Sequence, residues 1–173
     1  MKTSRIYRIA LYGILIALAF ILSWLETLLP NPLEGMVPGI KLGLANLVVM
    51  VALLRLGFFP AATISLIRVL LVSFTFGNLS MFFYSLAGAI LSIAVMQLAK
   101  SFRAFGTSGI SVSGGLAHNL GQILVAIVIL GKNLFYYLPY LILGGCISGL
   151  LIGILAALIL HRLPNIASIK NSP

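Results

Sequence analysis

Aspartate is missing from this chain, and its only two acidic residues are Glu26 and Glu34. That scarcity argues against paired-carboxylate acid–base chemistry and two-metal sites, and it leaves no aspartate-rich motif to hold a magnesium diphosphate. Cys146 is the sole cysteine, so no intrachain disulfide and no cysteine metal cluster can form. No phosphate-binding glycine loop with a Lys-Ser/Thr pair is present, and no Ser–His–carboxylate set fits within the apolar segments. The sequence therefore reads as non-enzymatic, with no cofactor and no metal.

What is present is apolar. Of 173 residues, 61% are hydrophobic and 8% charged, more apolar surface than a soluble domain of this size can bury. Six apolar segments approach the ~20 residues that cross a bilayer, at about 6–25, 42–56, 59–76, 79–99, 109–130 and 136–160, the second being short. The expected fold is all-α: one membrane domain over residues 1–173 with six transmembrane helices. The first segment, preceded by basic residues and followed by no cleavage site, reads as a retained span. The connection Glu26–Lys41, with three prolines and two glycines, excludes a regular helix but is apolar enough to pack on the bundle.

The net charge of +9 is spread along the chain, which fits membrane topology and not a nucleic-acid surface. With six spans, Lys2, Arg5, Arg8, Arg55, Lys100, Arg103, Arg162 and Lys170 share one side. Lys41, Lys132 and both glutamates take the other. The positive-inside rule then places both termini in the cytoplasm of a multi-pass cell-membrane protein.

Polar residues inside the spans are costly in hydrocarbon and mark partners, cavities or ligands. His118, Asn119 and Gln122 lie in GISVSGGLAHNLGQ, which runs directly into ILVAIVIL. His118 and Gln122 share a helix face at four-residue spacing. Arg68 lies in ISLIRVLLVSF, roughly 14 Å into the third span at 1.5 Å per residue, close to the midplane. It needs carbonyls, water, an anion, or Glu26 or Glu34 as a resting partner. Asn46, Ser80 and Ser85 fall in the outer halves of their spans, and Lys41 just precedes the second, where it fits snorkelling as well as ligand contact. The expected pocket opens outward and is formed by Arg68, His118, Asn119, Gln122, Asn46, Lys41, Ser85 and Glu26. Tyr84 fits either core or pocket, and Trp24, Tyr136, Tyr137 and Tyr140 fit an interfacial belt.

Small residues at four-residue spacing form ridges that let helices approach closely. Gly145, Gly149, Gly153 and Ala157 read as packing inside the bundle; Gly13 and Ala17 read as packing or as docking on a separate membrane subunit.

The blocks KLGLAN (41–46), RVLL (68–71), SLAGAILS (85–92), GGLAHNLGQ (114–122) and LPYLILGG (138–145) resemble a bacterial membrane family. It is described as heptaprenyl diphosphate synthase component I, or Gx transporter, and the likeness covers nearly the whole chain. More distantly, the layout is similar to the substrate-binding S components of energy-coupling factor (ECF) vitamin transporters. The latter resemblance implies capture of a small ligand from the outer face and a separate coupling subunit with ATPases. Small residues of the first helix contact that subunit in such transporters, which implies a docking role for Gly13 and Ala17. The family description implies the alternative: a noncatalytic membrane accessory subunit of a prenyl diphosphate synthase, or of a quinone or flavin electron-transfer system.

Overall fold

The computed structural model describes residues 2–28, 43–102 and 104–163, with side chains from residue 6 onward. The helices are α1 (Lys2–Leu28), α2 (Leu44–Arg55), α3 (Phe58–Phe76), α4 (Leu79–Ser101), α5 (Thr107–Leu130) and α6 (Leu138–Arg162). A 3₁₀ turn, Lys132–Tyr137, leads into α6, so the last long helix starts slightly later than the sequence pattern indicates.

Among the described residues, five helices are long and apolar enough to cross a membrane. The described elements are thus all helices, and the protein is a multi-pass membrane protein. The exception is α2, whose 12 residues span roughly 18 Å, well short of the ~30 Å hydrocarbon core. The second expected span is therefore a half-length helix. It is also a central one: Ala45 and Leu53 have no exposed surface, Met50 has 1%, and α2 packs on α1, α3 and α6. A helix apolar all round needs protein on every side, and here its neighbours supply it. Left-handed glycines bracket it, Gly43 at φ 78° and Gly57 at φ 98°, a conformation costly for residues with a Cβ. Short or broken helices are tolerated at membrane depth where their ends are buried or line a cavity, and α2 begins at one.

The tightest seam runs α4–α5–α6 and is built from glycine. A Cβ on Gly121 would sit 2.7 Å from the Ala87 carbonyl oxygen, and one on Gly115 would sit 2.6 Å from that of Gly145. Gly149 and Gly153 meet the α5 backbone at Val112 and Ser108 just as closely. The ridge on α6 is therefore intramolecular packing, and it holds α5 between its neighbours. By contrast, a Cβ on Gly13 would meet nothing within 4 Å, and Ala17 is likewise exposed on α1.

At one end of the bundle the cations satisfy helix C-termini, whose last carbonyls lack intrahelical donors. Arg55 Nη2 donates to the carbonyl of Leu163 at 3.0 Å and also to that of Leu160, while Lys100 Nζ donates to the carbonyl of Leu53 at 2.9 Å. The C-termini of α2, α4 and α6 are thereby tied together where the sequence concentrates positive charge.

Candidate functional site: a polar cavity at the opposite end

Alternating helix direction gathers the C-terminal halves of α1, α3 and α5 with the N-terminal halves of α2, α4 and α6. They enclose a cavity of about 470 Å³, reaching from that end to the middle of the bundle. This lies within the range typical of small-molecule sites. Seven of the eight residues expected to form the pocket line it: Glu26 from α1, Asn46 from α2, Arg68 from α3, Ser85 from α4, and His118, Asn119 and Gln122 from α5. Lys41 and Glu34, with most of the proline-rich connection, lie outside the described residues. Gly13 and Ala17 are not part of the wall.

Each polar side chain reaches the cavity for a local reason. On α5, residues 118, 122, 126 and 130 repeat at four-residue spacing and make one stripe. Its inner end is His118 and Gln122, and its outer end Ala126 and Leu130. Gly88 of α4 lets that stripe approach: a Cβ there would lie 2.9 Å from Gln122 Cγ and 3.0 Å from His118 Cε1. Glu26, in the last turn of α1, accepts a hydrogen bond from the backbone N–H of Gly43 and so joins the end of α1 to the start of α2. Asn78 caps α4 by accepting from the Met81 N–H at 2.8 Å, satisfying one of that helix's orphan donors.

Two side chains divide by how their hydrogen bonds are used. Asn119 Nδ2 donates to the Leu141 carbonyl of α6 at 2.7 Å, so its amide fastens α5 to α6 as well as bordering the cavity. Arg68 Nε and Gln122 Oε1 are buried with no hydrogen-bond partner among the described residues. Leaving such atoms unsatisfied costs about 1–3 kcal/mol each, and more for a charged group. Glu26 and Arg68 both border the cavity, and their opposite charges attract.

The wall also includes residues that sequence reasoning missed or read otherwise. Ser23, Ser73 and Ser148 contribute hydroxyls, and Tyr137, expected in an interfacial belt, lines the cavity beside Leu134. Tyr84 is part of the wall too. The serines carry little signal, because isolated hydroxyls in apolar helices more often bond their own backbone. Ser23 and Ser148 do so, to Ala19 and Gly145. Among the described residues no group of three or more His, Cys, Asp or Glu is placed to hold a metal ion.

No curated protein and no solved structure matches the chain. A family described as Heptaprenyl diphosphate synthase component I matches residues 15–159, which takes in all the described cavity residues. By that match, over most of its length, the chain belongs to the heptaprenyl diphosphate synthase component I family.

Proposed function

We propose that this protein is the substrate-binding subunit of a small-molecule transporter, akin to an ECF S component, that captures a polar or anionic ligand from the extracytoplasmic side of the cell membrane. One observation carries the reading. A ligand-sized cavity is lined by Arg68 and Gln122, whose buried Nε and Oε1 atoms find no hydrogen-bond partner among the described residues. Polar groups are retained in membrane interiors where they meet substrates or partners, and both of these border the cavity. The basic residues supply the orientation: their concentration at the other end puts that end in the cytoplasm and the cavity toward the outside.

The role is noncatalytic, and the energy for release comes from other chains, an ECF-type coupling subunit with its ATPases. Membership of a component I family supports the existence of partner subunits. Gly13 and Ala17 on the exposed face of α1 are the docking positions, since among the described residues nothing lies within 4 Å of a Cβ at Gly13. An accessory subunit of a prenyl synthase would need no polar cavity of this kind.

Native mass spectrometry of the gently solubilised protein tests the proposal, with wild type beside Arg68→Ala and His118→Ala. The expected result is a small molecule bound to wild type and lost from both variants. A wild type that carries a prenyl synthase chain and no small molecule overturns it.

A further inference from the structure

The charge and hydrogen-bond polarity of the cavity wall narrow the class of molecule it suits; the argument rests on the binding-subunit reading above. Among the described residues, the wall carries one guanidinium, Arg68, and one carboxylate, Glu26. The formal charges of these two side chains cancel, and the described wall also carries the titratable side chain of His118. A head group with several negative charges would gain one partner, meet one repulsion and bury the remaining charge uncompensated, which is costly in an apolar interior. A single negative charge has Arg68 as its partner and leaves no second charge to bury.

The two unsatisfied atoms have opposite sense. Arg68 Nε is a donor and seeks an acceptor, whereas Gln122 Oε1 is an acceptor and seeks an N–H or O–H. A carboxylate satisfies the first and cannot satisfy the second, so one molecule serving both carries an acid and a separate donor. One side of the cavity is apolar in a defined direction. From Gln122 the α5 stripe continues through Ala126 to Leu130, a rise of roughly 12 Å, with Leu134 and Leu141 beside it.

From these three features we infer that the cavity takes a singly charged organic acid with a separate N–H or O–H donor and an apolar body, and not a diphosphate. The acid lies at Arg68, the donor at Gln122 and the apolar body along Ala126 and Leu130. A prenyl diphosphate offers the apolar body but has excess charge and no amide or hydroxyl donor for Gln122.

The test uses the full chain extracted from membranes in a styrene–maleic acid copolymer. Bound small molecules are identified by native mass spectrometry. Thermal unfolding is then followed with a panel of N-acetyl amino acids bearing apolar side chains of increasing size, their carboxamides, and geranyl diphosphate. The expected result is a co-extracted monoacid bearing a donor, and a preference of roughly tenfold for the best acid over its carboxamide. In Arg68→Met that preference disappears, and in Gln122→Met acid and carboxamide weaken together. The wild-type ranking decides the matter even where a variant fails to fold. Tighter binding of geranyl diphosphate than of any acid, or a co-extracted diphosphate, overturns the head-group inference and leaves the binding-subunit reading standing. A wild type that carries no small molecule and responds to no probe overturns both.

Discussion

The two ends of this bundle set arginine in different surroundings: Arg55 Nη2 on helix-end carbonyls, Arg68 at a cavity. At the basic end, Arg55 donates to the carbonyls of Leu160 and Leu163, and its charge completes the terminus of another helix. At the cavity end, Arg68 keeps its Nε without a hydrogen-bond partner while attracting Glu26. Both are costly residues for a membrane protein. The first offsets its cost through carbonyls that would otherwise lack donors; the second retains hydrogen-bonding capacity in a place where a ligand can use it. The same contrast holds for the small residues: the α4–α5–α6 glycines touch backbone, whereas Gly13 faces outward.

Substitutions should separate the two ends. Arg68→Ala is expected to weaken ligand binding about 100-fold, close to 2.7 kcal/mol, with little change in the unfolding midpoint; titration calorimetry with the co-extracted ligand checks it. A large stability loss with unchanged affinity would make Arg68 a structural residue like Arg55. Arg55→Ala should do the reverse, lowering stability by about 2 kcal/mol, the scale of a charge-assisted hydrogen bond, while affinity stays within twofold. Denaturant unfolding in detergent measures the first quantity and the same titration the second.

Gly88→Ala probes the seam at the cavity end. Its Cβ would press on Gln122, a side chain able to shift, and on the His118 carbonyl, which is backbone at 2.9 Å. The expectation is a loss of about 1–2 kcal/mol from overpacking, together with weaker binding as Gln122 is displaced. Preserved affinity would show that Gln122 does not contact the ligand. Gly13→Ala should have the smallest effect on the isolated protein, with no loss of stability, because open space receives the methyl group. If α1 docks on a coupling subunit, the same change lowers recovery of that subunit in a pull-down; unchanged recovery would remove Gly13 from the docking face.

Much of the cavity was legible because the bilayer penalises polarity so severely. In spans made of Leu, Ile, Val and Ala, residues such as Arg68, His118 and Gln122 stand out without any structure. The alternation of helix direction then predicts which of them share an end. The hydroxyls of Ser23, Ser73 and Ser148 were not legible, since a helix can absorb a serine in its own backbone. Tyr137 carried no cavity signal because an aromatic near a span's end has the composition of an interfacial anchor; the 3₁₀ turn Lys132–Tyr137 brings it to the cavity wall. Lys41 lies outside the described residues.

The sequence by itself determined the solvent and the architecture. With 61% hydrophobic residues, no aspartate and long apolar runs, hydrocarbon surroundings and helices that satisfy their own backbone were the available solution. Its pattern also separated a basic end from a polar one. Only the tertiary structure decided that α2 is a half-length helix buried among its neighbours, that the α6 glycines are spent on α5, and that Asn119 is held by α6 while Gln122 is not. Those outcomes depend on which backbones approach within van der Waals contact and which carbonyls lie within reach of a donor. Both are properties of helices in contact, which no single helix encodes.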